Sequence, residues 1–178
     1  MNTLEAIAAR HSYRGTYEPT PVLREDLIRI LQAGCHAPSG CNMQTASFVA
    51  VDDSEVLKKL HGVLHRPLGI TAPAMICVLT QATPSYHGRC FHVQDYSAAI
   101  ENLLLAITDL SYASCWVEGY VTNPDQLGRK MADILGVPED YALVAYLPVG
   151  VPTEKFRPVS KKLLCQRAWL NGFGKAIE

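Results

Sequence analysis

The chain has 178 residues, 48% of them hydrophobic and 19% charged, with 16 Lys and Arg set against 17 Asp and Glu for a formal net charge of −1. That apolar share suffices for a core and excludes a disordered chain, while near-neutrality supplies no broad basic field for nucleic acid or anionic lipid. Met1–Arg10 holds two charges and no apolar run, and no apolar stretch is long enough to span a bilayer, so neither a signal peptide nor a membrane segment is expected.

Without an export signal the expected location is cytoplasmic, and Cys35, Cys41, Cys77, Cys90, Cys115 and Cys165 are expected to stay reduced. No two of them form a C-x-x-C pair, which removes the signature of zinc-ribbon and thioredoxin-type sites. The length suits one domain over 1–178, or one protomer of an intertwined dimer, and the chain carries no repeat or linker-like tract.

In chain order, Asn2–Ala9 reads as a short helix capped by Asn2, with Leu4, Ile7 and Ala8 on one face. A polar, positively charged turn follows over Arg10–Tyr17. The next helix runs from about Leu23 to His36, with Leu27, Ile28, Leu31 and Cys35 directed inward, and Ala37-Pro38-Ser39-Gly40 stops it. Ala46–Val51 is a strand, Ser54–Leu64 a helix, and Ala74–Leu79 a strand apolar on both sides and hence buried. Thr80–Phe91 is a loop rich in Pro, Gly, His and Tyr; its His87 and Cys90, with the neighbouring His92, match no zinc signature.

His92–Ala113 holds the longest helical pattern, with Val93, Tyr96, Ile100, Leu103, Ile107 and Leu110 spaced by three and four and Ala99, Leu104 and Ala106 widening the stripe. A strand at Ser114–Val117, a helix near Pro124–Leu135 with Asn123 as its N-cap, and a strand at Tyr141–Val149 complete the order. Ser160–Phe173 is either a last helix or an arm that reaches across a partner. Few strands among many helices, without regular alternation, point to α+β. The absence of G-x-G-x-x-G after a strand and of G-x-x-x-x-G-K-[ST] disfavours a dinucleotide-binding Rossmann unit and a P-loop.

Four segments could carry chemistry. In Arg10-His11-Ser12-Tyr13-Arg14, two forked guanidiniums with a hydroxyl between them either converge on a phosphate or pair with surface carboxylates. In Pro38-Ser39-Gly40-Cys41-Asn42-Met43-Gln44, Asn42 and Gln44 both donate and accept, which suits the edge of a heterocycle, although Gly and Asn also serve an ordinary turn. Cys115-Trp116-Val117-Glu118-Gly119 ends in a glycine that permits close approach by a flat ligand; the alternative leaves Glu118 in water at a strand end. The cations of Gly150–Arg157 and of Ser160-Lys161-Lys162 either neutralise an anion or form a solvated basic face.

Taken together, these segments resemble the nitroreductase family of FMN-dependent oxidoreductases over nearly the whole chain. Arg10-His11-Ser12-Tyr13-Arg14 is similar to that family's R-x-S-x-R phosphate motif, and Ala37–Gln44 to its A-P-S-x-x-N-x-Q segment. Ala98–Ala106 resembles its long core helix, Cys115–Gly119 the strand beside the isoalloxazine, and Leu147–Pro152 its last core strand and the turn beyond. The pattern departs where the family often has Pro-Trp after its Gln, since Gln44 is followed here by Thr45-Ala46.

The resemblance implies a nitroreductase-like α+β fold, a central mainly antiparallel sheet flanked by helices, in an intertwined homodimer with two FMN sites at the interface. It places Arg10, His11, Ser12 and Arg14 on the phosphate and ribityl side of FMN. Pro38, Ser39 and Asn42, with Gln44 in the same segment, reach that flavin from the partner subunit. Glu118 and Gly119 lie against the ring, and Lys161 or Lys162 adds positive charge, with Arg157 a second option. The implied activity is hydride transfer from NADH or NADPH through FMN to nitroaromatics, quinones or similar small electron-poor acceptors by a ping-pong mechanism. A specialised flavin reaction such as reductive dehalogenation, or FMN binding without turnover, would use the same scaffold.

Overall fold

The core is built on an antiparallel sheet ordered β1-β2-β3 in this computed structural model, which describes residues 1–65, 68–119, 121–122, 126–155 and 159–177. The strands are β1 (Ala46–Val51), β2 (Ala74–Thr80) and β3 (Ala142–Val149). In register, Phe48 faces Val78 across the first pair and Ile76 faces Leu147 across the second. The middle strand β2 is buried along its whole length, as its sequence Ala-Met-Ile-Cys-Val-Leu-Thr requires.

Alternation along β2 divides the core between two faces. Ala74, Ile76 and Val78 pack with Ile100, Leu103 and Ile107 of α4 (His92–Asp109) and with Leu27 and Ile30 of α2 (Arg24–Cys35). Met75, Cys77 and Leu79 pack instead with Leu57 and Leu60 of α3 (Ser54–Val63), Met131 of α5 (Leu127–Ile134) and Tyr146 of β3. Each fully buried aliphatic side chain of this kind contributes roughly 1.5–3 kcal/mol. The chain is therefore α+β, a sheet covered by helices on both faces.

The first helix, α1 (Thr3–Ala9), starts in a capping box in which the Asn2 side chain accepts from the Glu5 backbone N–H and Glu5 accepts from the Asn2 N–H. Its expected inner face is turned outward: Ala6 is buried, but Leu4 and Ile7 are 77% and 51% exposed. In α2 the buried stripe is Leu27, Ile30 and Gly34, so Ile28 and Cys35 lie in solvent rather than inward. Gly34 fits this close approach of α2 to α4, since a Cβ there would press on the side chains of Leu103 and Phe48 at 2.8 and 3.0 Å.

Residues 114–117 do not form the expected strand. Two isolated antiparallel bridges, Ala113 to Gly150 and Val117 to Tyr146, lay this segment along the outer side of β3. The shared register puts Cys115 opposite Pro148, which has no N–H to donate, and the Ser114 carbonyl turns away to accept from the Tyr13 N–H at 2.8 Å. The helix expected from Pro124 begins at Leu127, after Gln126 in a left-handed conformation; Asn123 and Pro124 lie outside the described residues. Ser160–Phe173 is an exposed arm with one short helical turn, Leu164–Gln166, not a last helix.

Gly128 sits where α5 meets β3, and a Cβ on it would overlap the Leu143 carbonyl oxygen, a backbone atom held in the sheet. Gly128→Ala is expected to destabilise the fold by about 1–3 kcal/mol, as forced overpacking does. Urea denaturation reads this directly; an unchanged midpoint would mean that α5 can slide away from the strand.

Candidate functional site

The segment leaving α1 is held by two tyrosines whose rings meet edge to face, with centroids 5.1 Å apart. Tyr13 is buried, its hydroxyl donates to the Thr16 carbonyl at 2.6 Å, and its N–H is the one bound to Ser114. Tyr17 bridges to Pro152, so residues 13–17 lie along the chain that continues β3. Burial pushes the Tyr17 phenol well above its ordinary range, which keeps this anchor neutral.

With alternate residues turned inward, their neighbours point out. Arg10, His11, Ser12 and Arg14 line one cavity of about 290 Å³, closed on the far side by Val159 and Lys161 of the C-terminal arm. Three cationic side chains and a hydroxyl thus gather around a concave space whose described lining contains no carboxylate. Arg10 also takes part of the alternative role, since its Nε lies 3.2 Å from Glu101 of α4. The positive charge of Arg14 reaches the Cys115 thiol, which burial nonetheless pushes up to about 11. Lys162 is exposed on the arm outside this lining, and Arg157 lies outside the described residues.

The 38–45 loop forms a separate and smaller pocket of about 120 Å³, lined by Pro38, Ser39, Gln44 and Asp95 among others. Its backbone is unusual: Cys41, Asn42 and Gln44 hold φ values of 52°, 56° and 50°, left-handed geometry that side chains disfavour. The Ser39 hydroxyl accepts from the Gln44 N–H at 3.0 Å, while Asn42 projects into solvent. Thr45, where the family pattern departs, is buried and donates to Asp95 at 2.7 Å.

Glu118 is not in water. Its carboxylate accepts from the Tyr96 hydroxyl at 2.8 Å and from the Trp116 indole N–H at 2.9 Å. Burial, reinforced by this carboxylate, pushes the Tyr96 phenol up to about 12, so it stays a donor across the neutral range. Gly119 beside it is open: a Cβ there meets no heavy atom within 4 Å. Unlike Gly34, Gly40 and Gly128, and like Gly62, it has open space where a Cβ would stand, so the packing of its own chain does not require it.

The structure therefore unites Arg10, His11, Ser12, Arg14 and Lys161, and keeps Pro38, Ser39 and Gln44 in a pocket of their own. Sequence reasoning missed Asp95, Glu101 and the role of Tyr96 and Trp116 as holders of Glu118. An acidic residue in the first turn of an apolar helix was a visible sign for Asp95, but its partners lie 50 and 55 positions away.

Comparison with known proteins gives a consistent answer. The model of the family described as Nitroreductase matches residues 7–68 and 61–151. A protein of Archaeoglobus fulgidus, whose name assigns it provisionally to NADH dehydrogenase/NAD(P)H nitroreductase, is 32% identical over 153 residues, 85% of this chain and 86% of its own length. Among solved structures, a Parabacteroides distasonis protein with the same provisional name superposes with a TM-score of 0.81 at 29% identity, covering 97% of this chain and 100% of its own. A Bacteroides fragilis nitroreductase with bound FMN superposes with a TM-score of 0.77 at 27% identity, again over 97% and 100%.

The Tyr96–Glu118 bond is expected to couple the two residues energetically. Tyr96→Phe should destabilise the protein by about 1.5–3 kcal/mol, as loss of a hydrogen bond to a charged group does. Tyr96→Phe combined with Glu118→Gln should cost clearly less than the two single changes summed. Strict additivity in chemical denaturation would show that the bond does not hold the 116–119 segment.

Proposed function

We propose, for a chain that belongs to the nitroreductase family, that it is an FMN-dependent oxidoreductase passing electrons from NADH or NADPH to small electron-poor acceptors. The observation that carries this reading is the cavity of Arg10, His11, Ser12, Arg14 and Lys161, whose donor set suits a phosphate monoester. When bound, FMN supplies the two-electron relay between nicotinamide and acceptor.

The residues present fit that group. Arg10 and Arg14 offer forked donors to phosphate oxygens, Ser12 a neutral donor, and Lys161 a point charge. Glu118, held by Tyr96 and Trp116, stiffens the approach to Gly119, whose uncovered backbone suits the face of a flat ring. No side chain is assigned as a proton donor. Nitroaromatics and quinones are the acceptors we favour, and donor and acceptor would use one face in turn, which makes the kinetics ping-pong.

The site is proposed to be completed by a second copy of the chain. Support comes from the separation of the 38–45 loop from the cationic cavity, which leaves each half of the expected flavin site without its counterpart. It comes also from apolar side chains left in solvent: Leu4 and Ile7 on α1, Ile28 on α2, and Leu163, Leu164, Leu170 and Phe173 on the arm. Large apolar groups left exposed in this number on a small protein favour an interaction surface. No helix among the described residues is long and apolar enough to cross a membrane.

The test has two stages. Purified protein is expected to be yellow, to bleach anaerobically with NADH or NADPH, and to regain its colour on adding a quinone or a nitroaromatic compound; colour that no nicotinamide bleaches would favour storage over catalysis. Changing Arg10 and Arg14 together to Ala should weaken FMN binding by about 100-fold, as loss of two charge-assisted contacts would, while the flavin-free protein melts close to the parent. Retention of all flavin after desalting by that double variant would refute the phosphate role.

A further inference from the structure

We propose that Asp95 is a positioning residue that clamps the 39–45 loop shut at both ends and holds it in the shape that receives FMN; this rests on the FMN reading above. Asp95 is 3% exposed in the first turn of α4, where the helix N-terminus favours an acidic group. One carboxylate oxygen accepts from the Gly40 N–H at 2.7 Å and the other from the Thr45 hydroxyl at 2.7 Å. Those two donors bracket the loop, so a single side chain ties its first and last turns to the same point on α4.

The loop needs such a tie. Three non-glycine residues among four, Cys41, Asn42 and Gln44, are left-handed, and strain of that kind persists only where surrounding contacts over-determine it. Inside the loop there are modest restraints: Ser39 accepts from the Asn42 and Gln44 N–H groups, through its carbonyl and its hydroxyl, and Gly40 accepts from the Met43 N–H. Gly40 is fixed in place by Phe91, which a Cβ would meet at 2.6 Å, so the loop rests directly on the start of α4. Thr45 is further held through its carbonyl, which accepts from the Gln81 N–H at 3.2 Å. With its ends fixed, the loop leaves Asn42 exposed and Ser39 at the wall of the 120 Å³ pocket, the residues expected to meet FMN.

A clamp that stores strain has a distinctive signature. Releasing it loses a buried hydrogen bond but lets the left-handed residues relax, so ligand affinity falls while global stability changes little. A residue that merely supports the fold would lower both together. Neighbouring Tyr96 serves the 116–119 segment instead, so the two roles separate by mutation.

The experiment titrates FMN into flavin-free wild type, Thr45→Val, Thr45→Ser, Asp95→Ala and Asp95→Asn, following flavin fluorescence, and records thermal midpoints of the same flavin-free samples. Thr45→Val should raise the FMN Kd about tenfold and Asp95→Ala about 100-fold, in line with one or two lost hydrogen bonds, with midpoints close to wild type. Thr45→Ser keeps the hydroxyl, and Asp95→Asn can accept from Gly40 and donate to the Thr45 oxygen, so both should stay within about threefold of wild type. Unchanged Kd in Thr45→Val and Asp95→Ala would overturn the clamp and leave the FMN reading intact. Affinity that falls only together with the midpoint, without rescue by Asp95→Asn, would overturn it equally. Should Asp95→Ala fail to fold, Thr45→Val and its serine control decide the matter alone. Wild type that binds no FMN would sink both the reading and the clamp.

Discussion

Like charges gathered around a hollow repel unless something negative completes the set. Arg10, Arg14 and Lys161 share one cavity with His11 and Ser12, and only Glu101, through Arg10, offsets them at close range among the described residues. Much of the architecture bears on that arrangement. The Tyr13 and Tyr17 anchors, buried and edge to face, force the residues between and before them to face outward. The Ser114 carbonyl joins this turn to the segment that carries Glu118 and Gly119.

Pro148 shapes the same segment. Placed within β3, it removes the N–H that would have closed a continuous ladder with residues 113–117. The segment is then pinned to β3 by the bridges at Ala113 and Val117. The missing donor leaves the Cys115 carbonyl without its ladder partner, while the Ser114 carbonyl, at a position whose backbone groups face away from β3, reaches Tyr13.

Much of this was readable in the sequence because it depends on local pattern. The unbroken apolar run of β2, the three- and four-residue spacing in α4, and the Asn2 cap each report their own surroundings. The R-x-S-x-R turn and Lys161, which only a family resemblance singled out in the sequence, line one cavity. What escaped depends on partners distant in the chain. The inner face of α2 is Leu27, Ile30 and Gly34, with Gly34 close to Leu103 and Phe48, whereas the apolar count favoured Ile28. The break in the 114–117 strand required knowing that Cys115 would stand opposite Pro148. Asp95 and Tyr96, adjacent on α4, reach opposite ways to Thr45 and to Glu118, and no spacing rule announces either contact.

On the function proposed above, one chain carries both halves of a flavin site without joining them, and a second copy brings each half its complement. Sedimentation velocity of the purified protein, recorded at a flavin wavelength and at a protein wavelength, tests this most directly. Flavin absorbance is expected to travel with a species of twice the 19.5 kDa chain mass, at about one flavin per chain. Flavin moving with a single chain, or a protein that sediments as a monomer and holds none, would contradict it.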